Sequence, residues 1–172
     1  LSPMTIAVSW PRRFWAFSLI ELLTVLAVMA VVASLAAPSF RDLLHSWRLR
    51  AEANQMISAI WLARATALRS GKKAMLCPLQ QHRCAGQYQD GFGVFNAEGA
   101  LLHRYQSRPE VSVTNRRGTH SETRALVWDA AGLGSRNMTF LFCIKNVQVN
   151  WAVVLNRVGR PRLRRDWGVC PV

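Results

Sequence analysis

The chain has 172 residues, 51% of them apolar, which suffices for one domain with a modest core, or a small domain plus an anchor, and excludes a disordered chain. Lysine and arginine number 22 against 9 aspartates and glutamates, a formal net charge of +13 that points to anionic partners: nucleic acid, acidic lipid or an acidic protein face. The four cysteines form no CxxC pair, so zinc or thioredoxin-type chemistry is poorly supported.

Residues 1–16 hold Arg12 and Arg13 and no acid. Leu1 in place of Met points to a non-standard start codon or a start at Met4, and either leaves a short basic leader. Residues 17–37 are predominantly apolar and carry one charge, Glu21. As a helix that run is about 30 Å long, the thickness of a hydrocarbon core. The flanking arginines keep the N-terminus cytoplasmic and send the rest across the membrane. A secretory signal with a cleavage site near Ser34-Leu35-Ala36 is the competing reading. Glu21 opposes it. A carboxylate in mid-helix costs about 2.5–3.5 kcal/mol on insertion, less near the end, and only a subunit that later pairs that charge has a use for it.

Ala16-Phe17-Ser18-Leu19-Ile20-Glu21 followed by Leu22-Leu23 resembles the type IV prepilin motif. The resemblance implies that a prepilin peptidase cuts between Ala16 and Phe17 and that the new amine of Phe17 is methylated. It also implies that Glu21, the fifth mature residue, pairs with the amine of a neighbouring subunit in the filament. Pro38 matches a proline at which the family loosens the helix. The family usually carries Gly where this chain has Ala16, a departure that would slow cleavage rather than abolish it.

Beyond Pro38, the spacing of Phe40, Leu43, Leu44, Trp47, Ala51, Ile57, Ile60, Trp61, Ala65 and Leu68 predicts one buried stripe, continuing the helix to about residue 70. Most charges, Glu52 among them, are expected outside it. Arg69 in the last turn and Gly71 as C-cap end the segment. Short runs then predict strands over 74–77, 91–95, 100–105, 111–114, 125–128, 139–144, 151–155 and 159–163. Turn residues such as Asp90-Gly91, Glu98-Gly99 and Arg117-Gly118 separate them. The fold class is α+β: a long N-terminal helix packed on a small antiparallel β domain. Four cysteines in an exported chain suggest two disulfides with three connectivities. Sequence proximity favours Cys77–Cys84, leaving Cys143–Cys170.

Asp90-Gly91-Phe92-Gly93-Val94-Phe95-Asn96, Val127-Trp128-Asp129-Ala130-Ala131-Gly132, and Val153-Val154-Leu155-Asn156 leading to Gly159-Arg160 resemble, in that order, successive strand-and-turn segments of FimT/GspH-type minor pilins. The implied fold is a helix packed on two small antiparallel sheets. The implied organisation is a cleaved leader (1–16), a transmembrane half-helix (17–37), an amphipathic half-helix (38–70) and a periplasmic β domain (71–172). The implied place is the inner membrane, single-pass, then the pilus, with other major and minor pilins as partners.

His45, His82, His103 and His120 are scattered, and no HExxH, GxSxG or phosphate-binding loop occurs. The chain is read as not an enzyme, with no cofactor and no metal.

Residues 157–167 read RVGRPRLRRDW, five arginines against Asp166. In an extended segment Arg160, Arg162 and Arg164 project on one side, about 7 Å apart per step. Such a row tracks a phosphate backbone without reading bases, and arginine suits forked phosphate contact. Trp167 either stacks on a base or packs beside Cys170. Gly159-Arg160-Pro161-Arg162 resembles the GRxR pattern of FimT-type pilins, which implies non-sequence-specific DNA binding for uptake in natural transformation through Arg160 and Arg162, with Arg164 and Arg165 assisting. Arg116, Arg117 and Arg124 are candidates for the same face. The rival readings are a GspH-like minor pseudopilin of a type II secretion system, a structural pilus subunit, and a basic tail that only contacts subunits, lipid headgroups or solvent.

Overall fold

The structure, a computed structural model, describes residues 18–171. They fall into two compact units divided between Ser39 and Phe40. Ala16 and Phe17, the expected processing site, lie outside the described residues.

Helix α1 (Leu19–Ser70) starts in the first unit. Leu19, Ile20, Leu22, Leu23, Val25, Leu26, Val28 and Met29 are all exposed there. The two hydroxyls of this stretch are satisfied within the helix: Thr24 Oγ1 donates to Glu21 O (2.8 Å) and Ser34 Oγ to Val31 O (2.7 Å). Among the described residues no single helix is long and apolar enough to cross a membrane alone. Leu19–Leu35 and Phe40–Ser70 pass that test only together, by length and composition.

Among the described residues the second unit holds the rest of α1 and nine strands. The buried helix face is Leu49, Ala53, Met56, Ile60, Ala63 and Ala67, a run at alternating spacings of four and three. This corrects the expected stripe: Phe40, Leu43, Leu44, Trp47, Trp61 and Leu68 are exposed. Alanines at 53, 63 and 67 let the helix lie close to the sheets, with Leu49, Met56 and Ile60 filling the space between. Glu52, expected outside the stripe, is buried in it, 3.3 Å from Arg108 Nε. Gly71, at φ +64, caps the helix by donating its N–H to Ala67 O (3.0 Å).

The strands are β1 (Ala74–Gln80), β2 (Arg83–Cys84), β3 (Phe92–Phe95), β4 (Leu101–Tyr105), β5 (Val111–Thr114), β6 (Leu126–Trp128), β7 (Met138–Ile144), β8 (Trp151–Leu155) and β9 (Pro161–Arg165). The first sheet runs β2-β1-β3-β4 with β6 also on β1, and the second runs β5-β7-β8-β9. All pairings are antiparallel. Pro78 sits inside β1 without breaking it. On the edge shared by β6 and β2, β6 pairs with Ala74–Leu76 and β2 with Leu79 and Gln80, so Pro78 falls in the gap where no partner needs its N–H. The last strand begins two residues later than its expected start at 159.

One core joins the helix face to the inner faces of both sheets, through Leu76, Tyr88, Phe92, Trp128, Phe140, Phe142 and Val153 among others. Cys77–Cys84 clips β2 to β1, and Cys143–Cys170 ties the C-terminal segment to β7, the pairing that short loops favour.

Candidate nucleic-acid interface

Strand β9 is the free edge of the second sheet, paired on one side with β8. Leu163 lies opposite Val153 and packs on the core. Period two then turns Arg162 and Arg164 to the other face, beside Val154 and Ala152. Both are exposed, about 7 Å apart along the strand. Arg160 does not share this register. It lies in the turn before the strand, where its N–H donates to Asn156 Oδ1 (3.2 Å) and Gly159 N–H to Asn156 O (2.9 Å). Gly159 has φ +75, and a Cβ there would stand 2.8 Å from Trp128 Nε1, so this corner requires glycine. The row expected from the sequence is therefore two strand arginines preceded by one on a turn. Arg165 lies opposite Trp151 and pairs with Asp166 (3.4 Å), which offsets part of its charge.

After Arg165 the chain folds back as a strap. Asp166 N–H donates to Asn150 O (3.0 Å), Asn150 Nδ2 to Gly168 O (3.2 Å) and Val169 N–H to Arg116 O (3.1 Å), and Cys170 closes on Cys143. Cys170 packs on Leu141, Cys143 and Ala152, a satellite core on the outer side of the sheet. Trp167, 39% exposed, has the Arg116 guanidinium 4.5 Å and the Arg164 guanidinium 5.9 Å from its ring centre. Each such contact contributes about 0.5–1 kcal/mol at an exposed site.

Arg116 is held by the turn after β5. Asn115 Oδ1 accepts from Arg117 N–H and Thr119 N–H, both at 3.1 Å, and Gly118 N–H donates to Asn115 O (3.0 Å). Beside it a groove of about 460 Å³ is lined by Arg116, Arg124, Thr139, Val154 and Asn156, among others. Arg124 adds little charge. Its Nε and Nη2 bond the buried Glu122 carboxylate at 2.8 and 2.9 Å. Burial works to raise the Glu122 pKa, but these bonds and the Arg124 charge outweigh it and hold the carboxyl below its ordinary range. Among the described residues Arg116, Arg160, Arg162 and Arg164 take part in none of the ion pairs that engage Arg48, Lys72, Arg108, Arg124 and Arg165.

Glu21 is in the first turn of α1 and exposed, where a carboxylate complements the positive end of the helix dipole.

A long helix packed on two small antiparallel sheets, with a cationic edge strand and a disulfide-tied strap, is the fold of a pilin-type subunit. The family model for the type II transport protein GspH matches residues 52–159, and the chain belongs to that family of minor pilins and pseudopilins. Two crystal structures of the type IV minor pilin FimU from Pseudomonas aeruginosa share the fold. Each is 16% identical and covers 67% of this chain, with TM-scores of 0.54 and 0.53 and coverage of 87% and 92% of the FimU chains. No curated protein matches the sequence significantly.

Proposed function

We propose that this protein is a minor type IV pilin that binds DNA through Arg160, Arg162, Arg164 and Arg165 for uptake in natural transformation. Its maturation follows from the prepilin-like motif: a peptidase removes residues 1–16, Phe17 becomes the methylated N-terminus, and Glu21 pairs with that amine on a neighbouring subunit. The mature chain is held in the inner membrane by its N-terminal helix, with the β domain periplasmic, until it joins other pilins. The exposed bulky residues Phe40, Leu43, Leu44 and Trp47 then meet neighbouring subunits.

The observation that carries the DNA reading is the pair Arg162 and Arg164, side by side on a free edge strand and unengaged by carboxylates. Three or four phosphate contacts give a log–log salt slope of about −2.7 to −3.6, so affinity for duplex DNA falls about 40- to 150-fold between 50 and 200 mM salt. Fluorescence anisotropy of labelled duplex with the full chain in non-ionic detergent tests this. Arg160→Ala with Arg162→Ala reduces the slope by about 1.8. A flat salt response refutes phosphate tracking.

The second reading, a pseudopilin of a type II secretion system, is favoured by the family match itself. It predicts lost secretion and unchanged DNA uptake when the chain is deleted.

A further inference from the structure

We infer that Arg116 is a further arm of the same phosphate-contacting surface as Arg162 and Arg164, and that Trp167 is the positioning residue that puts it there. The inference rests on the DNA-binding reading and extends it to a turn far from the arginine-rich segment in sequence. Arg116 belongs to the turn after β5, whereas Arg164 is on β9, and β7 and β8 lie between those strands in the sheet. The strap bridges the gap. Its backbone bonds Arg116 O through Val169 N–H, its disulfide fixes it to β7, and its indole carries both guanidiniums. Because the two guanidinium carbons stand 4.5 and 5.9 Å from one ring centre, they are at most about 10 Å apart.

Two like charges brought this near repel, and in water each long side chain would point away. The electron-rich ring face offsets that repulsion and limits the rotamers both can take. A phosphate arriving at Arg162 and Arg164 therefore meets a third guanidinium already oriented, so little side-chain ordering remains to be done on binding. The ligand class is a phosphodiester backbone. Trp167 contributes no charge and acts only through the two arginines.

The test is the salt titration with labelled duplex DNA on the full chain in non-ionic detergent, repeated with single-stranded DNA. Arg162→Ala is the reference variant. Arg116→Ala is expected to weaken duplex binding on the order of five-fold at 100 mM salt and to lower the slope by about 0.9, like the reference, while Arg116→Lys keeps most of the slope. Trp167→Ala, which removes no charge, is expected to lower the slope too. Trp167→Phe keeps a ring and restores it, and Arg116→Ala combined with Trp167→Ala is no worse than the worse single variant. An unmutated chain that binds no duplex at 50 mM salt overturns the DNA-binding reading and this inference together. Loss of binding with Arg162→Ala, beside unchanged binding with Arg116→Ala and Trp167→Ala, overturns this inference alone. Weakened single-stranded binding by Trp167→Ala with an unaltered duplex slope also overturns it, because the indole then stacks on bases.

Discussion

Gly118 is where the strap meets the β5 turn, and Gly118→Ala perturbs that contact without changing charge. The glycine has φ +67, and a Cβ on it would overlap the Val169 carbonyl oxygen and stand 3.0–3.1 Å from Pro171 N and Cys170 C. Two costs follow. A non-glycine residue in the left-handed region costs about 1–2 kcal/mol. The overlap is with backbone, so relief requires the strap to lift. Lifting gives up the Val169–Arg116 and Asn150–Gly168 hydrogen bonds, about 0.5–1.5 kcal/mol each. The expected loss is about 2–5 kcal/mol, read by urea unfolding of the detergent-solubilised chain. The two costs separate experimentally. Gly118→Asn tolerates the backbone conformation but keeps the Cβ, so most of the overlap cost remains. In a Cys143→Ser, Cys170→Ser background the strap is free to swing away, and Gly118→Ala loses about 1–2 kcal/mol less. Equal losses in the two backgrounds refute the claim that the disulfide pins the strap against this turn.

Two further predictions concern buried carboxylates. Arg124→Ala strands the Glu122 charge and destabilises by about 2–3 kcal/mol at neutral pH, below the 3–5 kcal/mol of a fully buried pair because Arg124 is half exposed. Glu122 is held below the ordinary carboxylate pKa, so its contribution is present above that value and fades as pH falls through the lower folded one. Unfolding free energies measured down to acidic pH should show that fading in the native chain and not in Arg124→Ala. Glu52 behaves oppositely, since burial raises its pKa despite Arg108. Its ionisation therefore opposes folding, and stability declines as pH climbs from the ordinary carboxylate value through the raised one. Glu52→Gln should abolish that decline, and an unchanged pH slope in the variant refutes the assignment.

Most of the β domain is legible because its turns are chemically explicit. Asp90-Gly91 and Glu98-Gly99 bound β3 and β4, and Gly91 and Gly99 both take positive φ. The two-residue β2 was not foreseen, being set by the Cys77–Cys84 clip rather than by any hydrophobic alternation. The helix ends at Ser70 as its spacing predicts, and Ile60 of the expected stripe is buried, but the bulky residues flanking it are not. Apolar residues surround it, so periodicity alone did not choose a side. Bulk pointed to Phe40, Trp47 and Trp61, whereas close packing on a sheet selected Ala53, Ala63 and Ala67. The arginine segment was visible as composition, but Asn156 holds Arg160 in the preceding turn and delays the strand. The approach of Arg116 to Arg164 is tertiary, carried by a single indole, and no spacing along the chain encodes it.

The family match ends at residue 159, so it accounts for the scaffold and not for the arginines of β9. That division has a physical counterpart. The inner face of the second sheet is spent on the helix, through Phe140, Phe142, Val153 and Leu163. On its outer side the strap shields Leu141, Cys143 and Ala152, which is reason enough for the strap in any subunit of this kind. The charged side chains that share this side make no contribution to the core. Arg162 and Arg164 point away from it, and removing either reduces like-charge repulsion in a chain of net charge +13. Neutralising Arg162 should therefore leave unfolding free energy within about 0.5 kcal/mol of the native chain, and neutralising Arg164 should cost at most the about 0.5–1 kcal/mol of its contact with Trp167. Loss of DNA binding in such variants then reports on the surface itself. If instead Arg162→Ala and Arg164→Ala unfold the domain, the outer face is structural, and the edge strand owes its arginines to the fold rather than to a ligand.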